Sequence, residues 1–166
     1  MSHVDSVLEQ WARERPDLDL APMGLIGRLT RIARHLGREM EAGFAEQGLT
    51  MASFDVLASL RRAGAPYRLS AGDLVASTMV TSGTITHRVD QLVKAGYVER
   101  VENPEDGRGV LIALTARGRA VIDKAVAAHA ANLDRLCAGL TDSEFHRLDR
   151  LLGRYLDALE GGAGPG

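Results

Sequence analysis

Apolar residues recur along most of this 166-residue chain at steps of three and four, the spacing of one helical face. Val4, Val7, Leu8 and Trp11 predict a short first helix, which the ARERPD stretch with Pro16 ends. Leu25, Leu29, Ile32, Leu36, Met40 and Phe44 form the stripe of a second helix, starting at Pro22 and stopping at Gly48. Gly24, Gly27, Gly37 and Gly43 lie inside it. Each costs about 1 kcal/mol relative to alanine, which suggests that another backbone comes close there. Thr50 is placed to cap a third helix carrying Phe54, Leu57 and Leu60, ended by Gly64-Ala65-Pro66. Ser70 followed by Asp73 opens a short helix with Leu74 and Val75; after Thr78-Met79-Val80 another runs from Thr81 to Gly96. Two short helices separated by a three-residue turn have helix-turn-helix spacing.

The period then changes. Tyr97 to Glu102 and Val110 to Leu114 read as two short strands, the second alternating Val110, Ile112 and Leu114, with the turn chemistry of NPEDGRG between them. Thr115 begins a long helix to about Leu140, and Thr141 with Glu144 forms a capping box for the last one. In that last helix Phe145, Leu148, Leu152, Tyr155 and Leu159 alternate steps of three and four, a coiled-coil-like seam. The expected fold is therefore mainly α with one β-hairpin. Apolar stripes at both ends, with no obvious central core to cover them, suggest an intertwined homodimer; a monomer whose stripes pack on each other is the alternative. The expected division is N-terminal helices over 1–49, a DNA-binding unit over 50–115, C-terminal dimerisation helices over 116–160 and a flexible tail over 161–166.

Composition narrows the function. An apolar content of 45% is enough for a packed domain. The net charge of −2 is unevenly spread: residues 61 to 119 hold nine Lys/Arg and six Asp/Glu, a balance of +3, and the remainder carries −5. A basic middle suits a nucleic-acid partner. The single cysteine, Cys137, excludes an internal disulfide framework and a multi-cysteine zinc site. The apolar runs fall far short of the ~20 residues that span a bilayer, and MSHVDSVLEQW lacks a basic segment followed by an apolar one, so a cytoplasmic protein without a membrane partner is expected. With no Gly-rich phosphate loop, nucleophile elbow or zinc-ligand spacing, and five dispersed histidines, neither an enzyme nor a cofactor is expected.

On a wheel of the Thr81 helix, Ile85, Val89 and Leu92 define a buried face. Gly83, His87, Asp90 and Lys94 point away from it, flanked by Thr84 and Thr86. A face that starts with Ser82, Gly83 and Thr84 can approach a DNA groove closely, and the N-terminal residues of such a helix contact base edges and phosphates. The hairpin that follows makes the unit a winged helix. Arg108 at its tip is suited to a narrow, electronegative minor groove, with Asp106 supporting the turn or the arginine.

TSGTITHRVDQLVKAGYVER and NPEDGRGVLIALTARGRA resemble the multiple antibiotic resistance regulator (MarR) family of bacterial winged-helix repressors over residues 50 to 120. The family's wing usually reads Asp-Pro-x-Asp-x-Arg, followed by an apolar strand and Leu-Thr. Here Asn103 replaces the first aspartate and Gly107 stands where arginine is common, while Asp106 and Arg108 are retained. The resemblance implies a homodimer on double-stranded DNA with a pseudo-palindromic operator. The N-terminal extension with Trp11, RPDLD and APMGLIGRL also resembles the urate-responsive branch of that family. That branch's tryptophan, aspartate and two arginines fall by motif on Trp11, Asp55, Arg88 and Arg100.

Arg88 lies about 60° from the centre of the buried stripe, where it could join Asp55 inside the protein. Two arginines and an indole would cradle a planar anion such as urate by charge-assisted hydrogen bonds and stacking. The implied mechanism is that the anion binds Trp11 and Arg100, disturbs an Asp55–Arg88 pair at the base of the recognition helix, and releases the operator. Redox sensing through Cys137 and DNA binding without a small ligand are the alternatives.

Overall fold

The computed structural model describes residues 2–78, 82–104 and 109–161, without the side chains of residues 82–84. Its elements run α1 (His3–Glu14), α2 (Ala21–Glu46), α3 (Met51–Arg62), β1 (Arg68–Ser70), α4 (Ala71–Ser77), α5 (Ser82–Lys94), β2 (Val98–Glu102), β3 (Val110–Leu114), α6 (Ala116–Cys137) and α7 (Asp142–Gly161). Residues 1–129 and 130–166 form two compact units, α6 passing from the first into the second.

The helix boundaries follow local chemistry. Ser2 and Asp5 close a capping box on α1, and Thr50 and Ser70 accept from the backbone N–H of Ser53 and Asp73 at the starts of α3 and α4. α2 begins at Ala21 with Pro22 in its first turn. It ends before Gly48, whose φ of 70° is available without strain only to glycine. The glycines of α2 serve a purpose different from the one expected. A Cβ at Gly24 would lie 2.9 Å from both the Leu8 and the Arg28 side chains and one at Gly27 would lie 3.5 Å from Val4, so side chains, rather than a backbone, occupy that space. Gly37 has nothing within 4 Å.

β3 is the centre of a three-stranded antiparallel sheet of order β1-β3-β2. β2 and β3 are the expected hairpin, with Val98 opposite Leu114, Arg100 opposite Ile112 and Glu102 opposite Val110. β1 was not expected; it adds only Arg68–Ser70, paired to Ala113–Leu111. The wing tip, including Asp106 and Arg108, lies outside the described residues, but the Asn103 N–H donates to the Gly109 carbonyl at 2.8 Å where the strands leave it.

The core is built by α3, α4, α5, α6 and the hairpin together. Val56, Leu57 and Leu60 of α3, Leu74 of α4 and Ile122 of α6 are fully buried, joined by Val98 and Ile112 of the hairpin. Ile85, Val89 and Leu92 of α5 are each only 3% exposed, as the wheel required. At the root of the hairpin, the Thr115 hydroxyl lies 2.8 Å from the Gly96 carbonyl, to which it can donate, and accepts from the Gly118 N–H at 2.9 Å. Gly118 packs directly on the Tyr97 carbonyl. The seam of α7 is a different case: α7 buries none of its residues within the chain, and Phe145, Leu148, Leu152, Tyr155 and Leu159 all remain exposed. In α2, Leu25, Ile26 and Ile32 are exposed as well.

Candidate nucleic-acid interface

α4 and α5 stand in helix-turn-helix succession, and the buried stripe of α5 turns Thr86 and His87 to solvent. The backbone at Ser82, Gly83 and Thr84 forms the first turn of α5; their side chains, like Asp106 and Arg108, are not among those described. His87 does not pair with Asp90. Its Nε2 lies 3.1 Å from the Gln91 amide nitrogen, four residues on and thus on the same face. Asp90, expected to face outward, instead accepts from Arg100 of β2 at 2.6 Å, because its half-buried side of α5 packs on the hairpin. Both partners are over two-fifths exposed, so this ion pair adds little stability. It does tie the helix to the wing.

Of the four residues implied to hold an anion, Arg100 borders a cleft of about 160 Å³ between Thr86 and Val89 of α5 and Val110 and Ile112 of β3. Arg88 reaches the other way. Its Nη1 donates to the Thr50 hydroxyl at 3.2 Å and to Gln91 Oε1 at 3.1 Å, so the described hydrogen bonds of Arg88 go to these two groups rather than to Asp55. The Arg88 Nε is buried without a hydrogen-bond partner among the described residues. Asp55 is half-buried in the wall of a cavity of about 710 Å³ between α2, α3 and α6. Trp11, 45% exposed on α1, borders neither space. Within one chain, then, Arg88 contacts the N-cap of α3 and Asp55 lies about one turn further along that helix, whereas Arg100 and Trp11 stand elsewhere.

The larger cavity has apolar walls formed by Met40, Phe44, Met51, Phe54 and Val126, with Arg61, Arg62 and His129 as its other polar groups. Arg61 is paired with Asp123 at 2.6 Å, and Arg62 donates to the Ser59 hydroxyl and the Ser77 carbonyl, both at 3.0 Å. His129 packs against Phe44 and Phe54 with ring centroids 4.8 and 5.1 Å away, and burial holds its pKa below the usual imidazole value. His129 was not singled out from the sequence. The signal was there: Ile122, Ala125 and His129 share one face of α6 at helical spacing. Cys137, the redox alternative, is half-buried at the end of α6.

Residues 47–109 match the sequence model of the MarR family. The HTH-type transcriptional regulator PecS of Dickeya dadantii is 38% identical to this chain over 151 residues, 91% of each protein. The chain belongs to the MarR family. A mutant form of Escherichia coli MarR complexed with operator DNA superposes with a TM-score of 0.70 at 30% identity, covering 82% of this chain and 97% of that one. Bordetella bronchiseptica BpsR, whose DNA binding is described as regulated by 6-hydroxynicotinic acid, gives a TM-score of 0.68 at 26% identity over 80% and 92%. As a MarR-family protein the chain is a winged-helix, DNA-binding transcriptional regulator, and the relatives it matches are named as transcriptional regulators. None of its described helices is long and apolar enough to cross a membrane, and no group of three or more His, Cys, Asp or Glu gathers as a metal site among the described residues.

Proposed function

We propose that the protein is a homodimeric repressor that leaves a pseudo-palindromic operator when a small aromatic anion, urate or a related compound, binds. The observation that carries this reading is the position of Arg88: it rises from the recognition helix and hydrogen-bonds the N-cap of α3, the helix whose next turn supplies Met51, Phe54 and Asp55 to the large cavity. A ligand that moves the start of α3 therefore acts on α5 through one side chain. Such a ligand shifts the equilibrium only as far as it prefers the released conformation. Arg100 supports the anionic character of the ligand. A guanidinium has five N–H donors, so its bond to Asp90 leaves others for a carboxylate or urate oxygen. Trp11 joins the site only if the dimer brings it there, and the exposed apolar faces of α2 and α7 are suited to that assembly. In this reading Ser82, Gly83, Thr84, Thr86 and His87 face the major groove and Arg108 the minor groove, with half-sites about 10 bp apart.

The test is displacement of a fluorescent operator by urate and, separately, by 6-hydroxynicotinic acid, followed by anisotropy and Trp11 emission. Release by either anion, lost in Arg100→Ala and Asp55→Ala, is the expected result. Full occupancy of the operator at millimolar concentrations of both, with unchanged Trp11 emission, would sink the ligand reading and leave a DNA-binding regulator without it.

A further inference from the structure

We infer that Gln91 is a positioning residue that transmits the anchorage of Arg88 to the DNA-facing ring of His87 by fixing which ring nitrogen carries the proton. The inference rests on the proposal that α5 reads the groove, and it names a means of regulation for that site.

Counting donors fixes each orientation in turn. Arginine has only donors, so the end of the Gln91 amide that lies 3.1 Å from Arg88 Nη1 must be its oxygen. The amide is planar and its nitrogen is thereby turned toward His87 Nε2, also at 3.1 Å. An amide NH₂ can only donate. Nε2 must therefore present its lone pair, and the neutral ring on this contact carries its proton on Nδ1. A free imidazole side chain in water prefers the opposite tautomer, so the protein has to impose this one. The far end of the chain leaves Arg88 no latitude either. The Thr50 hydroxyl donates to Ser53 Oγ at 3.0 Å and accepts from the Ser53 N–H at 3.1 Å, and Arg88 fills its remaining lone pair. Each group from Ser53 to His87 thus has one direction of donation open to it.

His87 is exposed and offers the groove a donor, Nδ1–H. In the major groove a donor matches guanine O6 and N7, adenine N7 or thymine O4, and opposes the amino groups of cytosine and adenine. When the Arg88 guanidinium swings away from Thr50 and Gln91 together, the amide is free to turn, the ring relaxes to the Nε2–H form, and the groove meets an acceptor instead. An effector acting at the start of α3 would then change what the recognition helix reads as well as where it lies.

The test uses full-length protein labelled with ¹⁵N-histidine at about pH 8, where ordinary imidazoles are neutral. The His87 signals are assigned by their loss in His87→Gln. Long-range ¹H–¹⁵N spectra should show Nδ1–H in the wild type and Nε2–H in Gln91→Met. Gln91→Glu is the sharper variant: its carboxylate still accepts from Arg88 but cannot donate, so it too should give Nε2–H. On operator duplexes varied at one base pair at a time, both variants should lose about fivefold in discrimination at the pair beneath His87, the contribution of one neutral hydrogen bond, with affinity for scrambled DNA unchanged. Nε2–H in the wild type, or identical spectra in all three proteins, would overturn the relay. A switched tautomer with unaltered base preference would overturn its role in reading. Wild-type protein showing Nδ1–H but no affinity for any duplex would uphold the hydrogen-bond chain and count against the DNA reading of α5 instead.

Discussion

Alanine at Gly118 should destabilise the protein severely, although glycine-to-alanine changes within helices usually help. An alanine Cβ there would overlap the carbonyl oxygen and carbon of Tyr97, which are backbone atoms and cannot rotate away. Either α6 retreats from the hairpin root or Tyr97 shifts and carries β2 with it, and the first movement also strains the Gly118 N–H bond to Thr115. Forced overpacking costs about 1–3 kcal/mol, and a clash with backbone belongs at or above the top of that range. Against it stands the intrinsic helix gain of about 1 kcal/mol for alanine over glycine. A net loss of about 2 kcal/mol lowers the melting temperature by roughly 4–8 °C in a chain of this size. Thermal melts by circular dichroism should show this, with Gly72→Ala as control. There the new methyl would meet only Ser70 Oγ at 3.8 Å, an ordinary contact, and stability should hold or rise. A Gly118→Ala protein that melts with the wild type would refute the packing argument.

Three further outcomes follow from the same structure. Leu57→Ala removes a fully buried side chain from the centre of the core and should cost about 2–5 kcal/mol in urea denaturation without altering the unfolding slope. His129 is held below its ordinary pKa by burial, so the unfolded chain takes up its proton first as the pH falls. Its contribution to stability is thus intact above about pH 6.5 and is lost as the pH falls through the lower, folded-state value. His129→Phe should flatten that part of the stability-versus-pH curve while keeping the ring stack. If the proposed homodimer is held by the exposed seam of α7, Leu152→Asp should give a monomer in light scattering at micromolar concentration where the wild type gives a dimer, with the melting of the 1–129 unit little changed.

What could be foreseen from the sequence was local. Caps at Thr50, Ser70 and Thr141 and the stop at Gly48 are set by side chains and backbone angles within a few residues, and the buried stripe of α5 follows from a periodicity that needs no tertiary information. β1 was missed because Arg68–Ser70 is too short to show alternation and exists only through its pairing with β3, more than forty residues later. The site suffered for the same reason. By helical spacing alone Asp55 lies opposite Phe54, Leu57 and Leu60 on α3, but α2 and α6 close over that side and make it a cavity wall. The partners of Arg88 and Arg100 depend on distances of 38 and 10 residues along the chain, and no spacing rule would have chosen Thr50 over Asp55 or linked Asp90 to the wing.

The contact of Thr115 with Gly96 and Gly118 has a mechanical meaning. It pins the start of α6 to the base of the hairpin, while His129, fourteen residues further along the same helix, presses on the cavity. At 1.5 Å per residue those two points are about 20 Å apart on one rigid rod. A tilt of α6 by a few degrees at the His129 end becomes a displacement of about an ångström over that length. The wing is thus mounted on a beam whose other end the cavity can push.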